Sequence, residues 1–344
     1  MQRPPKQELL LPPPLRLGDG IGYFSPSSPA THFAPTRYAR ARRYLENKGF
    51  KLISGGLSGK SDNYRSGSIQ ARAAELNALI RNPDVRCIMS TIGGSNSNSL
   101  LPYLDYEALK ADPKIVVGYS DVTSILLGIH AQTGLVTFYG PALVASYGEL
   151  PPLVDTMFDA FSSVVMADKA TEHVYDIPTQ WTDERIDWET QNRSKTLKPN
   201  NCEFHGDGCA SGRLIGGNLN TMWSIWGSPF IPDIREGDIL LIEDSLKSIA
   251  LVERLFAFLK INGIFERVSA VLLGKHELFD DAGTGRRPYD VLMEVLNGQK
   301  LPIVKDFDCA HTLPMITMPL GVEIEVHFDT EQIRTVQPWL STRR

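Results

Sequence analysis

The sequence predicts an α/β protein, with an amino-terminal doubly wound domain built on a mostly parallel sheet and a carboxyl-terminal mixed α/β domain. Three observations carry that expectation. Short apolar runs alternate with helical patterns through the first third of the chain, as βαβ units do. The character then changes to a polar, Trp-bearing stretch between Thr171 and Asn201, and beyond it apolar runs and an amphipathic helix begin again. A chain of 344 residues exceeds one ordinary core, so domains of roughly 150 residues are expected. The expected boundaries are 1–167 for the first domain, 168–201 for a linker or substrate loop and 202–344 for the second.

In the first domain the strand candidates are Gly20–Phe24, Phe50–Ile53, Val85–Ser90 and Lys114–Gly118. Helices are expected at Arg37–Lys48, stopped by Gly49, at Ile69–Arg81, and at Val122–Gln132, stopped by Gly134. Another helical stretch follows Pro151 and Pro152. The second domain offers strands at Ile239–Ile242, Val268–Leu273 and Glu323–Phe328. Its first helix carries Ile249, Val252, Leu255, Phe256 and Leu259 on one face, and a last helix is expected near Tyr289–Leu296.

Composition narrows the function. The apolar share of 42% and charged share of 22% are those of an ordinary globular protein. No apolar run reaches the ~20 residues that cross a bilayer. A net charge of −5 argues against a nucleic-acid surface and for a small substrate. The start, MQRPPKQELLLPPPLRLGDG, breaks its Leu run with three prolines, so it reads as a flexible arm rather than a signal peptide. Cys87, Cys202, Cys209 and Cys309 are scattered, as reduced thiols in a cytoplasmic protein would be. Cys202, His205 and Cys209 lack a CxxC knuckle and a fourth ligand, which speaks against a metal site; no metal or cofactor is expected.

The segment KIVVGYSDVTSILLGI is a buried strand that turns through Tyr119, Ser120 and Asp121 into a helix. A serine at that corner projects its hydroxyl from the carboxyl edge of the sheet, where open α/β folds keep their ligands. The Asp121 N–H at the helix start is free to bind a developing oxyanion. Ser120 also fits a plain helix cap, and the segment is not the GxSxG elbow.

A nucleophilic serine needs a base and a group that orients it. His311, in the irregular segment DCAHTLPMITMPLG, is the best-placed histidine, and His276, after a strand end, competes with it. Glu243 ends the run DILLIE at a strand's carboxyl edge, with Asp244 as its rival. The run STIGGSNSNSL follows Val85–Ser90, where Gly94 could offer a second oxyanion donor; it matches neither GxxxxGKS nor GxGxxG, so a nucleotide-triphosphatase is not indicated.

Taken in order, IGGSNSNS, VGYSD, LLIEDS and CAHTLPMITMPLG resemble the LD-carboxypeptidase-like serine peptidases, closest to their microcin C immunity branch, over nearly the whole chain. The resemblance implies a triad of Ser120, Glu243 and His311, an oxyanion hole of Gly94 and Asp121 N–H groups, an active site at the domain junction, and a homodimer. It further implies hydrolysis of the amide between an aspartyl residue and the nucleotide part of a peptidyl-adenylate antibiotic. The general branch of the family instead trims murein stem peptides, and an idle nucleotide-peptide binder is a third reading. Trp188 stands where the immunity branch places an aromatic that stacks on the base, worth ~1–3 kcal/mol per base. Asn220 and Lys247 are expected as polar substrate contacts. Leu246 departs from the pattern, standing where a basic residue is expected beside the lysine.

Overall fold

The structure is a computed structural model describing residues 8–167 and 170–342. In the first half the strands are β1 (Gly20–Phe24), β2 (Lys51–Ser54), β3 (Val85–Ser90), β4 (Ile115–Gly118) and β5 (Thr137–Tyr139). Three short strands follow, β6 (His173–Val174), β7 (Gln180–Trp181) and β8 (Lys198–Pro199). After them come β9 (Glu203–His205), β10 (Cys209–Asn218), β11 (Ile239–Glu243), β12 (Ala270–Gly274) and β13 (Ile303–Phe307). The last are β14 (Met318–Leu320), β15 (Glu323–His327) and β16 (Gln332–Thr335).

The first sheet runs β14-β5-β4-β3-β1-β2, parallel except for β14. Its five amino-terminal strands thus lie in the order 2-1-3-4-5, and such a sheet opens a crevice at its carboxyl edge where the winding reverses, between β1 and β3. Strands β1, β3 and β4 are almost wholly buried, because helices cover both faces and Val, Ile and Met fill both sides of the pleat. The helices Ile69–Arg81 and Thr123–Thr133 stand where their periodicity placed them. Ser68 caps the first by accepting the Ala71 N–H, and Gly134, at φ 75°, ends the second in the left-handed conformation that glycine adopts freely.

The second sheet is mixed, in the order β6-β16-β15-β10-β11-β12-β13-β9, with β10 to β13 parallel at its centre. The two sheets therefore form the two-part α/β architecture that the sequence predicts. Some features were not legible in advance. The ten-residue β10 hides its period behind three glycines, two of them pressed against the β11 backbone and the Tyr139 ring. Strand β14, from late in the chain, closes the edge of the first sheet against β5. The Trp-bearing stretch between the domains forms the β7–β8 ladder and a bridge from Thr182 to Leu313, and β6 joins the second sheet.

The expected flexible arm is corrected in part. From residue 8 onward it packs on the first domain: Leu10 pairs with Leu135, Leu15 is buried and donates its N–H to Val165 O, because the consecutive Leu9, Leu10 and Leu11 pack against the apolar core and Leu15, after three prolines, joins it. Residues 1–7 lie outside the described residues.

Candidate active site

Strand β4 ends at Gly118 and the chain turns so sharply that Ser120 adopts φ 63°. A left-handed non-glycine residue costs ~1–3 kcal/mol and persists only where its surroundings over-determine it. The turn is crowded as well: a Cβ on Gly93 would stand 2.8 Å from Ser120 Cβ and 2.9 Å from Ser120 Oγ. The Gly93–Gly94 run thus passes directly over the serine hydroxyl. Among the described residues neither the Gly94 N–H nor the Asp121 N–H has a hydrogen-bond partner.

The rest of that run is fastened to the serine turn. Asp121, besides its backbone, contributes a carboxylate that accepts the Asn96 and Ser97 N–H groups at 3.0 and 2.9 Å. Burial pushes this carboxyl above its ordinary pKa, while the Ser97 and Asn96 donors pull the other way. Ser27, after β1, accepts the Ser95 and Asn96 N–H groups, and Arg72 donates to Asn96 Oδ1 and Pro26 O. The loops after β1, β3 and β4 are one hydrogen-bonded unit at the switch point.

The second domain brings a buried carboxylate to this edge. Glu243 ends β11, and its Oε2 accepts a 2.6 Å hydrogen bond from His311 Nδ1. Its Oε1 accepts the Tyr139 hydroxyl at 2.6 Å and Asn218 Nδ2 at 3.0 Å. Burial favours the neutral acid, yet the His311 charge and these donors hold Glu243 below the ordinary carboxylate range. For His311 burial favours the neutral ring, and the charge and hydrogen bond of Glu243, helped by Glu277 and Asp244, outweigh it and raise the pKa. With Nδ1 committed to Glu243, Nε2 is the nitrogen left for chemistry.

The loop that carries His311 is itself anchored by a buried ion pair. Lys275 Nζ lies 2.6 Å from Asp308 Oδ1 and also donates to Asp306 O. The ring packs edge-on against Tyr119, centroids 4.9 Å apart, which sets it beside the residue preceding Ser120. Among the described residues no hydrogen bond joins Ser120 Oγ to His311; in substrate-free sites such bonds are commonly long and tighten with substrate.

The rivals take other parts. His276 is half-buried, its pKa pushed down to about 4 by loss of solvent around the ring, and its Nε2 accepts the Lys247 N–H at 3.2 Å, so it is a neutral prop for the Lys247 loop. Asp244 bonds Asn218 Nδ2 and pairs with Lys247 Nζ at 3.4 Å. Asn220, in the first turn of the helix Leu219–Ser224, donates its N–H to Asp244 Oδ2. Leu246 is exposed at φ 56°, between Ser245 and Lys247.

Trp188 is set apart from these carboxylates, on the first domain. Its ring stacks on Phe33, centroids 6.0 Å apart, with the Arg37 guanidinium 4.6 Å from its centre, and it packs on Ala30, Ala34 and Val144 together with Ile92, the neighbour of Gly93. Glu189 holds the loop by accepting the Thr36 and Arg37 N–H groups.

Sequence reasoning missed Tyr139, Asn218 and the Asp121 carboxylate. Asn218 had a signal, since it ends the run RLIGGN just before a short helix. Cys202 and His205 do not meet Cys209, which lies beside His327 and Glu325. That Glu325 carboxylate is already held by Arg334 Nε and Nη2, at 2.8 and 2.6 Å, which leaves a surface ion-pair network.

The two halves match two family descriptions: residues 21–140 the LD-carboxypeptidase N-terminal domain, and residues 211–326 the LD-carboxypeptidase C-terminal domain. The chain belongs to the LD-carboxypeptidase family. As a member of it, the protein is a carboxypeptidase-type hydrolase. Among LD-carboxypeptidase relatives, the microcin C7 self-immunity protein MccF of Escherichia coli is 55% identical over 340 residues, covering 97% of this chain and 98% of that one. A Vibrio cholerae protein described as a carboxypeptidase is 60% identical over 329 residues, covering 96% and 98%. The solved structure of MccF in complex with aspartyl sulfamoyl adenosine superposes with a TM-score of 0.95 at 56% identity, covering 96% of this chain and 100% of that one.

Proposed function

We propose that this protein is a serine peptidase that hydrolyses the amide between an aspartyl residue and the nucleotide portion of peptidyl- or aminoacyl-adenylates, a detoxifying activity of the microcin C immunity type. The observation that carries the reading is the 2.6 Å Glu243–His311 bond beside the strained Ser120 turn, because a hydroxyl becomes a useful nucleophile only with an oriented base. Ser120 Oγ attacks the scissile carbonyl while His311 Nε2 takes its proton, and Glu243 stabilises the imidazolium. The Gly94 and Asp121 N–H groups hold the oxyanion. The imidazolium then protonates the leaving amide nitrogen, and water, deprotonated by the same ring, resolves the acyl-enzyme.

The choice of a nucleotide-bearing substrate rests on Trp188, an aromatic face backed by a cation on the side of the Gly93–Gly94 turn. Lys247 and Asn220 are the proposed polar contacts on the other side. A murein stem peptide, the alternative substrate, would have no base to stack there. The reading carries with it a homodimer, as the family resemblance implies, and a cytoplasmic setting, which four free cysteines fit.

The test is incubation with aspartyl sulfamoyl adenosine and, separately, with a tetrapeptide ending in D-alanine, with products read by mass spectrometry. Aspartate release by the wild type and its loss in Ser120→Ala, with ligand binding retained, is the expected result. Near-normal hydrolysis by that variant would reject the mechanism, and release of D-alanine alone would move the protein to the murein branch.

A further inference from the structure

The Ser120 amide and the Glu243 carboxylate meet on one phenol. The Ser120 N–H donates to the Tyr139 hydroxyl at 3.1 Å, and the same hydroxyl stands 2.6 Å from Glu243 Oε1. The directions are forced, because a backbone N–H can only donate and an ionised carboxylate can only accept. The phenol accepts from the serine turn and gives its proton to the glutamate. Both of its polar functions are thereby used, and the bond crosses from the first sheet to the end of the second.

The phenol has little freedom to be elsewhere. Tyr139 is fully buried at the end of β5, paired with Gly118 on β4 and Met318 on β14. A Cβ on Gly217, in β10, would come within 2.8 Å of its ring, so the second sheet closes on the ring's other side. From that fixed point it grips the two parts of the site that most need gripping. One is a turn at φ 63°, where the serine holds a conformation it would otherwise leave. The other is a carboxylate that must present Oε2, and not an arbitrary edge, to His311.

We propose that Tyr139 is a positioning residue that sets the serine turn and the Glu243 carboxylate in register across the domain boundary, so that nucleophile and base share one anchor. This rests on the reading of Ser120, Glu243 and His311 as the triad, and deepens it. The rival account is a phenol that merely satisfies buried polar groups. The two differ in what a lost hydroxyl does to the chemistry. With no phenol proton on Oε1, more of the Glu243 charge is left to hold the imidazolium, so His311 stays protonated to higher pH. The other groups facing His311, namely Glu277, Asp244, Tyr119, His276 and Lys247 beyond Asp244, are untouched by the change.

The experiment uses the full chain and aspartyl sulfamoyl adenosine. In Tyr139→Phe, kcat falls roughly 10- to 100-fold with KM within about threefold, the size of effect that misplacing reacting groups produces. The acid limb of kcat/KM moves to higher pH. A kcat within about twofold of wild type per folded molecule, with the limb unmoved, overturns the proposal. Replacement of Tyr139 by 3,5-difluorotyrosine, which keeps the shape and the hydroxyl, serves if the phenylalanine variant fails to fold. Its more acidic phenol draws harder on Glu243, so the acid limb moves to lower pH, and an unmoved limb again overturns the proposal. Ser120→Ala is measured in parallel. If it abolishes turnover, the triad reading stands and Tyr139 is judged alone; if it retains turnover, the triad reading falls and takes this proposal with it.

Discussion

The Arg37 guanidinium lies 4.6 Å from the centre of the Trp188 ring and 3.0 Å from the Glu149 carboxylate, with both ionic side chains shut away from solvent. Lys195, from the same stretch as Trp188, reaches Glu149 at 3.3 Å, and Gln191 bonds both Arg37 and Glu149. One buried charge cluster thus fixes the tryptophan loop to the first domain and puts a cation behind the indole, leaving the loop stiff where a substrate base would stack.

Trp188→Ala is expected to weaken nucleotide-bearing substrates far more than plain aspartyl peptides. Stacking worth ~1–3 kcal/mol per base corresponds to a rise in KM of roughly five- to 150-fold. Steady-state kinetics on both substrate types check it, and equal losses for the two would remove the stacking role.

Arg37→Met should destabilise the fold by about 3–5 kcal/mol, because it strips a buried carboxylate of its main partner. Burial favours the neutral acid at Glu149, but Arg37 and Lys195 outweigh it and hold the pKa below the ordinary value. A depressed pKa stabilises the fold above the unfolded-state value of ~4.3. That contribution is lost as pH falls through the folded value. Urea unfolding from pH 7 down to pH 3 should therefore show the wild type losing more stability than Arg37→Met, and parallel curves would contradict this.

Glu243→Gln should cut kcat by roughly 10²- to 10⁴-fold, since the base loses the partner that fixes its tautomer. The pH profile carries a sign. His311 is raised above the ordinary ~6.5, so wild-type kcat/KM should climb through an inflection above that value, as the neutral ring is the active base. In Glu243→Gln the residual activity should climb at lower pH. In stability terms the raised imidazole contributes below the unfolded-state pKa, and that contribution disappears as pH rises through the folded one. An inflection that stays put in the variant would separate His311 from Glu243.

Gly93→Ala probes the close approach over the nucleophile. A methyl group 2.9 Å from Ser120 Oγ must displace either the hydroxyl or the glycine run, and a misplacement near 1 Å costs on the order of 10²-fold in rate. We expect a loss of that size in kcat/KM with thermal unfolding shifted by only a few degrees. Full activity would mean the run stands farther from the hydroxyl.

Much of the fold was legible because its signals are local. Ile69–Arg81 and Val85–Ser90 match the structure end to end, since a helix of period 3.6 and a continuous apolar strand announce themselves within a dozen residues. Glu243 could be singled out as the chemistry-bearing end of such an element, and His311 as a histidine in an irregular segment free to aim into a cleft. The strands that escaped notice were of another kind. The length of β10 was invisible behind glycines whose reason is a neighbouring strand, and β14 is three residues long and exists only because β5 offers an open edge. Tyr139 reads as an ordinary buried aromatic until Ser120 and Glu243 are seen on either side of its hydroxyl.

By itself, the order of residues determined the α/β class, the membership of the LD-carboxypeptidase family and the short roster of groups able to do chemistry, because each is written in patterns a few residues to a few dozen long. Tertiary structure alone decided which histidine faces Glu243, which oxygen of that carboxylate it meets, and that a phenol joins the two sheets. Those outcomes depend on distances of about 3 Å between segments more than a hundred residues apart, as between Tyr139 and Glu243, and only the packing of one sheet against the other sets them.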